Sequence, residues 1–183
     1  TLVDAKYFYC ITYTKLSGTT ISNELICYDI ESWTEVSRKA IPLTTISTDM
    51  TWNPADQKVY GAFYNTTKNG YVFGTLDLET GAVNKLSDIT LQDDKGYPAG
   101  FVVIAANSIG EIYGISQMGD LYKFNTEDGS YSLIGATGYT PLYQQSGCFD
   151  FTTKQLYWAA CNENSSGIYQ VNTDTGEATL LGS

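Results

Sequence analysis

Hydrophobic and polar residues alternate along most of the chain, in short runs that are separated by turns. Four runs, LICYD, VFGTLD, LYKFN and IYQVN, each lead into a turn, and AVNKLS, SYSLIG and EATLLG follow three of these turns. Alternation with a period of two residues is typical of β-strands with one buried face. Similar runs lie upstream, namely KVYGAFY from Lys58, EIYGIS from Glu111 and QLYWAA from Gln155. The pattern predicts an all-β protein.

The turns recur at a fixed spacing. DLETG begins at Asp77, NTEDG at Asn125 and NTDTG at Asn172, so the intervals are 48 and 47 residues (125 − 77 and 172 − 125). A weaker copy, DIESW, begins at Asp29, again 48 residues earlier (77 − 29). With its flanking runs, each repeat contains four short strands. Four antiparallel strands in a repeat of about 40–50 residues form the blade of a β-propeller.

The period predicts one β-propeller domain over residues 1–183, with blades at about 1–45, 46–90, 91–138 and 139–183. No first strand is evident ahead of AKYFYCIT, so we expect an incomplete first blade of three strands. An open blade edge invites pairing with another strand. We therefore expect the ring to be completed, either by the remainder of a larger propeller or by a second copy.

The turn at Asn172 is rich in acidic and amide side chains, as calcium loops are. An EF-hand loop also needs a Glu at its twelfth position, and the twelfth residue from Asn172 is Ser183. Asp or Asn can instead brace a turn by accepting hydrogen bonds from backbone amides, while Gly adopts a positive φ. We predict structural turns and no metal. Trp33 replaces the glycine in the first copy, so that turn is expected to be built differently.

Two blade sequences, LYKFNTEDGSYSLIG and IYQVNTDTGEATLLG, resemble those of bacterial β-propeller repeat proteins with YVTN-like, NHL-like or quinoprotein-like blades. The resemblance extends from about Lys6 onward. It implies a propeller fold in a bacterial protein that is secreted, periplasmic or on the cell surface. Because such blades occur in enzymes and in binding proteins alike, the resemblance does not decide the function.

Composition removes several classes of function. The formal net charge of −10 disfavours nucleic acid and anionic membranes as partners. No apolar run approaches the roughly 20 residues of a membrane-spanning helix. The chain contains no His, which removes Ser-His-Asp chemistry, Cys-His chemistry and His-ligated metals. Nothing points to a cofactor. The chain begins at Thr1 rather than Met, which indicates a processed or trimmed N-terminus.

The four cysteines fall in two pairs along the predicted strands. Cys10 and Cys27 lie on the second and third strands of the first blade, and Cys148 and Cys161 on the first and second strands of the last. Each pair could form a cross-strand disulfide, and four unpaired thiols are the alternative.

Loop length distinguishes the two edges of the predicted ring. The repeated glycine turns emerge at one edge, here called the turn edge, and the longer, dissimilar loops and blade links emerge at the other, here called the variable edge. Binding sites usually lie on variable loops of a rigid frame. The links LQDDKGYPAG and GYTPLYQQSG both flank the third blade. They predict a ligand site for a carbohydrate or peptide; its residues are Asp93, Asp94, Tyr97, Tyr139, Tyr143 and Gln144.

Two functions are compatible with these features. The first is a non-catalytic binding or scaffold propeller, with its ligand at the variable edge. The alternative is part of a propeller enzyme, such as a lyase, a lactonase or a quinoprotein-type dehydrogenase. Its candidate acids would be Asp93, Asp94, Asp150 and Glu163. Tyrosines that recur with the repeat, such as Tyr60, are expected to pack between blades.

Overall fold

The computed structural model describes residues 1–42 and 44–183, with the side chains of residues 19–21 left undescribed. The described residues form β-strands and turns and no helix, which confirms the all-β prediction. Accordingly, they include no helix of the length and apolarity that crossing a membrane requires.

The described strands form four antiparallel sheets of four strands, and each sheet pairs its strands in chain order. The first sheet contains β1 (Leu2–Val3), β2 (Tyr7–Leu16), β3 (Thr19–Asp29) and β4 (Thr34–Ala40). The second contains β5 (Thr45–Asn53), β6 (Lys58–Asn65), β7 (Gly70–Leu76) and β8 (Val83–Ile89). The third contains β9 (Phe101–Ala106), β10 (Ile112–Ser116), β11 (Asp120–Phe124) and β12 (Tyr131–Ala136). The fourth contains β13 (Ser146–Asp150), β14 (Gln155–Cys161), β15 (Ser166–Val171) and β16 (Ala178–Gly182).

The sheets are arranged in a ring, like the blades of a four-bladed β-propeller. The first strands β1 and β5, β5 and β9, and β9 and β13 contact one another, so the sheets run outward from a common axis. The second, third and fourth sheets each have four strands, as the repeat predicts.

The expectation of a three-stranded first blade is wrong. Leu2 pairs with Phe8 and Val3 with Tyr7, which adds a two-residue first strand. Val3 is buried and packs in the cluster that also contains Leu25. A single buried residue anchors this strand, so its hydrophobic pattern was too short to recognise in the sequence.

The core consists of layers between adjacent blades. Phe63 belongs to the layer between the first and second blades, Phe73 and Phe101 to that between the second and third, and Trp158 to that between the third and fourth. Tyr60, one of the recurring tyrosines, is 1% exposed and packs in the second layer, as predicted. Between the fourth and first blades, the described residues line cavities instead of a comparable layer.

The repeated turns have the structure predicted for them. Asn172 Oδ1 accepts hydrogen bonds from the amides of Asp174 and Thr175 at 2.8 and 3.1 Å, and Gly176 has φ = 89°. This arrangement satisfies backbone donors within the turn. The acidic sequence at the end of the chain is thus explained by turn geometry.

The turn of the first blade was expected to be built differently, and this expectation is wrong. Asp29 Oδ1 accepts hydrogen bonds from the amides of Glu31 and Ser32, both at 3.0 Å. Trp33 adopts φ = 52° at the position where the other turns have glycine. The same turn therefore forms with a non-glycine residue in the left-handed region, at a conformational cost of roughly 1 kcal/mol.

Candidate functional site

A pocket with a volume of about 520 Å³ opens at the variable edge, and we call it the edge pocket. Loops, links and strand ends of all four blades contribute to it. Its lining consists of Tyr13, Lys15, Ile46, Thr48, Tyr64, Tyr71, Asp93, Pro98, Ala99, Val102, Gln117, Met118, Pro141, Leu142, Tyr143 and Gln144. Four tyrosines and two glutamines combine flat apolar faces with hydrogen-bonding groups, a combination that suits small-molecule recognition.

Two of these tyrosines are positioned by one hairpin. Tyr64 and Tyr71 are directly opposite each other on β6 and β7, and their ring centroids are 4.9 Å apart. The hydroxyl of Tyr71 accepts a hydrogen bond from Gln117 Nε2 at 3.4 Å. Gln117 Oε1 in turn accepts one from the amide of Gly100 at 3.0 Å. The rigid hairpin and this bridge hold the tyrosine pair in place.

Three of the six predicted site residues line the edge pocket: Asp93, Tyr143 and Gln144. Asp93 Oδ1 accepts hydrogen bonds from the amides of Lys95 and Tyr97, both at 2.9 Å, and so braces the link between the second and third blades. Gln144 Nε2 lies 3.3 Å from the hydroxyl oxygen of Tyr13 and donates to it. Tyr143 is 66% exposed, so its ring is open to a ligand.

The other three lie outside the lining of this pocket. Asp94 and Tyr97 are exposed on the link between the second and third blades. Tyr139 packs with Trp158 and Tyr169, at centroid distances of 5.4 and 4.9 Å. Its hydroxyl donates to the carbonyl of Ser165 at 2.9 Å. Tyr139 is therefore a packing residue, the role that the sequence had suggested for recurring tyrosines.

A second cavity, of about 690 Å³, adjoins the edge pocket, and we call it the axial compartment. The two cavities share Tyr13, Thr48 and Gln144. The lining of the axial compartment consists of Thr1, Leu2, Phe8, Tyr9, Cys10, Ile11, Tyr13, Ser47, Thr48, Asp49, Met50, Thr51, Gln144, Gln145, Ser146, Gly147, Cys148 and Ala159. It lies among the first, second and fourth blades, where the described residues form no apolar layer between the fourth blade and the first.

Asp49 is the acidic residue of this compartment, and a strand irregularity places it there. The register of β5 against β6 shifts between Ser47 and Asp49, which leaves Thr48 as an extra residue. Such bulges redirect neighbouring side chains. Asp49 Oδ2 accepts a hydrogen bond from the amide of Ile104 at 2.9 Å, and Oδ1 accepts one from the hydroxyl of Ser146 at 3.2 Å. The carboxyl group thus connects three blades.

Burial raises the pKa of Asp49 from 3.8 to about 7. The hydrogen bonds from Ile104 and Ser146 lower this pKa, but by less than burial raises it. The described lining includes no Lys or Arg; the Thr1 ammonium group, which also lines the compartment, lowers the pKa of Asp49, but again by less than burial raises it. Asp49 can therefore change its charge near neutral pH.

This pKa predicts how Asp49→Asn changes stability with pH. The folded protein holds the Asp49 proton more tightly than the unfolded chain, so the stability that this group contributes is lost as pH rises from about 4 to 7. Asn carries no such penalty. The stability of the variant relative to wild type should therefore increase between pH 5 and pH 8 by on the order of 2 kcal/mol, measured by urea unfolding. A difference that stays constant over this range would contradict the assignment.

Sequence reasoning missed Asp49 and the Tyr64–Tyr71 pair. A carboxylate within a first strand was a usable signal, because first strands line the axis of a propeller. Asp49 lies four residues before Asn53 (53 − 49), and Val103 lies four residues before Asn107 (107 − 103). The two residues therefore occupy equivalent positions in the second and third blades. The tyrosine pair flanks the loop YNTTKNG, but only strand pairing shows that the two rings face each other.

All four cysteines lie in the described part of the chain, and all are unpaired. Cys10 is opposite Ile26 while Cys27 is opposite Tyr9, so the two thiols lie on opposite faces of the sheet. Cys148 pairs with Tyr157, four residues from Cys161, a separation of about 13 Å along a strand. The structure thus has the four-thiol alternative, and neither possible disulfide has the short Cβ separation that a bridge requires.

The candidate acids of an enzyme do not converge. Asp93 lies at the edge pocket, whereas Asp150 lies in the hairpin between β13 and β14 at the turn edge. There Asp150 accepts a hydrogen bond from the hydroxyl of Thr153 at 2.7 Å, which lowers the pKa of the carboxyl group. Glu163 lies on the exposed loop between β14 and β15. Within residues 1–42 and 44–183, no three Cys, Asp or Glu side chains are grouped so that they could hold a metal ion.

Comparison with known proteins assigns the architecture. No protein-family model matches the chain, and no curated protein matches it in sequence. Solved structures do match it. The chain superimposes on a structure from a nidogen/laminin complex with a TM-score of 0.65 and 15% identity, covering 96% of this chain and 60% of that one. The fold is that of a β-propeller.

Two further structures illustrate the range of this similarity. A protein of unknown function from Bacteroides thetaiotaomicron VPI-5482 gives a TM-score of 0.60 at 12% identity, covering 98% of this chain and 44% of that one. Puromycin hydrolase gives 0.55 at 15% identity, covering 98% and 27%. The chain thus spans 60% or less of the length of these three structures. At such low identity the likeness concerns the fold alone, and a larger ring stays a prediction.

Proposed function

We propose that this protein is a non-catalytic binding propeller whose edge pocket takes a carbohydrate. The single observation that carries the proposal is the composition of this pocket, in which Tyr13, Tyr64, Tyr71 and Tyr143 surround a cavity of about 520 Å³. Tyrosine rings offer apolar faces to the C–H surface of a sugar and hydroxyls to its polar rim.

The polar groups of the pocket support the same ligand class. Gln117 and Gln144 each present an amide, and Asp93 presents an exposed carboxylate with acceptor capacity beyond its two backbone hydrogen bonds. Sugar hydroxyls both donate and accept hydrogen bonds, so amides and a carboxylate are suitable partners. The exposed ring of Tyr143 would cover one face of the ligand.

Proteins with this fold differ in activity, so the fold alone does not favour a binding role over an enzymatic one. Nidogen occurs in a complex with laminin, while puromycin hydrolase is named as an enzyme. A non-catalytic role is favoured because the candidate acids are distributed over both edges of the ring. We also propose that the protein is bacterial and is located at the cell surface, in the periplasm or in the medium. A larger propeller ring that includes these four blades is part of the same proposal.

A glycan array, followed by calorimetric titration of the best glycan, tests the proposal. Tyr143→Ala should weaken binding by at least tenfold, which corresponds to about 1.4 kcal/mol. Its melting temperature should stay within about 3 °C of wild type, because the side chain is 66% exposed and belongs to none of the described core clusters.

Tyr97→Ala is the matched control, since Tyr97 is 64% exposed on a neighbouring link and lies outside the pocket lining. It should bind the glycan within about twofold of wild type. Equal loss in both variants would show that binding does not depend on the edge pocket. Selective capture of peptides, with no glycan bound, would replace the carbohydrate by the peptide alternative.

A further inference from the structure

The edge pocket and the axial compartment form one continuous space. They share Tyr13, Thr48 and Gln144, which belong to the first blade, the second blade and the link before the fourth. The two volumes, about 520 and 690 Å³, are each within the range of about 300–1,000 Å³ that is usual for ligand sites. A ligand that is longer than either cavity can therefore occupy both.

The junction between the two cavities is closed by a weak contact. Gln144 Nε2 donates to the hydroxyl of Tyr13 at 3.3 Å, which is longer than is usual for a hydrogen bond of this type. Gln144 is exposed, and neither side chain makes another hydrogen bond within the described part of the chain. The phenol and the amide can therefore exchange this bond for bonds to a ligand at little cost.

Thr48 is the third residue of the junction, and its hydroxyl is fixed. It is the extra residue of β5, where the register against β6 shifts. Its hydroxyl donates to the carbonyl of Ala62 at 3.1 Å, which leaves the hydroxyl oxygen able to accept a hydrogen bond. The junction thus presents a phenol, an alcohol oxygen and an amide, and these groups match the donors and acceptors of sugar hydroxyls.

Beyond the junction, the axial compartment offers the same chemistry as the edge pocket. Phe8 is 36% exposed and presents an aromatic face to the cavity. Ser47 is half-buried, and its hydroxyl makes no hydrogen bond within the described ranges. Asp49 and Ser146, by contrast, bond to each other at 3.2 Å and so hold two blades together. An aromatic face beside an unpaired hydroxyl suits a further sugar unit.

We propose that the axial compartment is a second subsite of the carbohydrate site, and that the ligand is a linear oligosaccharide extending from the edge pocket to Phe8 and Ser47. This inference rests on the proposed function and specifies its ligand class. A short saccharide occupies the edge pocket alone. A longer chain displaces the hydrogen bond between Gln144 and Tyr13 and reaches the compartment.

Calorimetric titration with a chain-length series of the best glycan, from the monosaccharide to the hexasaccharide, tests the second subsite. We expect the affinity of wild type to rise at least tenfold along the series and then to stay constant once the compartment is filled. The gain arises because a second subsite binds the same molecule without a second loss of translational freedom.

Ala159→Trp should block the compartment from its wall on the fourth blade. Ala159 is exposed, lines the axial compartment and lies outside the lining of the edge pocket. The variant should bind the hexasaccharide at least tenfold more weakly than wild type and the short saccharides within about twofold. Its melting temperature should stay within about 3 °C of wild type, which shows that the blade is intact. Ala136→Trp makes the same change at an exposed position outside both linings and should leave all affinities within about twofold.

An affinity that does not depend on chain length would overturn the second subsite. So would an Ala159→Trp variant that leaves hexasaccharide binding unchanged, or that weakens short and long chains equally. The chain-length series uses wild type, so it decides the question even if Ala159→Trp does not fold. Short saccharides that bind with no gain from length contradict this inference alone, whereas failure of every saccharide to bind contradicts the carbohydrate proposal itself.

Discussion

Trp158→Ala should destabilise the protein by about 4 kcal/mol, the cost typical of removing a large buried aromatic side chain. Trp158 is fully buried in the layer between the third and fourth blades, and its ring contacts those of Tyr139 and Tyr169. The cavity left by the substitution would lie between the third and fourth blades, where it removes contacts that hold the two blades together. For a domain of this size, the melting temperature should fall by roughly 10 °C, measured by calorimetry.

Trp158→Phe should cost much less, within about 1.5 kcal/mol of wild type, because the substitution also removes a penalty. The indole Nε1 of Trp158 is buried without a hydrogen-bond acceptor in the described part of the chain. An unsatisfied buried donor costs about 1–3 kcal/mol. This gain offsets part of the lost volume.

Ile168→Ala serves as the control for the same blade. Ile168 lies on β15 and is 46% exposed, so its truncation should cost less than about 1 kcal/mol. If Trp158→Phe proves as damaging as Trp158→Ala, the indole nitrogen is not an unsatisfied donor in the folded protein. A small effect of Trp158→Ala would show that the layer between the third and fourth blades contributes little to stability.

The blades could be predicted because each signal occurs several times. One alternating run is ambiguous between a buried strand and other structures, whereas four runs with the same turn at intervals of 47 or 48 residues identify a repeat. The strand that was missed, Leu2–Val3, has no such support. Its single buried side chain, Val3, contributes through contacts with residues far along the chain.

The site was only partly predictable, because its walls come from loops of different blades. Link length and composition led to Asp93, Tyr143 and Gln144, which do line the edge pocket. The same criteria also selected Tyr139, whose ring packs against that of Trp158. Sequence cannot separate these cases, since an exposed tyrosine and a packing tyrosine in neighbouring links look alike until the blades are placed.

Trp33 occupies the turn position where the later blades have glycine, and that position is subject to two requirements, a positive φ and close packing against another blade. In the later blades the turn glycine also approaches the preceding blade. A Cβ atom on Gly129 would lie 2.8 Å from Leu86 Cβ and from Ser87 Oγ, both on β8. Trp33 is instead 68% exposed. The first turn thus tolerates a bulky residue because its side chain projects into open space.

Gly129→Ala should therefore destabilise the protein by about 3 kcal/mol, from two separate causes. Gly129 has φ = 73°, a conformation that costs a non-glycine residue about 1–2 kcal/mol. The added methyl group would also push against β8 and disturb the hydrogen bond that Ser87 Oγ donates to the Gly129 carbonyl at 2.7 Å. Overpacking of this kind typically costs about 1–3 kcal/mol.

A matched pair at position 33 separates these two causes. Trp33→Gly and Trp33→Ala both remove the ring that lies 6.4 Å from Phe8, and they differ only in the conformational cost of φ = 52°. Trp33→Gly should be the more stable of the two by about 1 kcal/mol. Subtracting this difference from the effect of Gly129→Ala gives the contribution of the close contact between blades, all measured by urea unfolding. If the subtraction leaves nothing, the repeated glycines serve the turn conformation alone, and contact with β8 places no demand on that position.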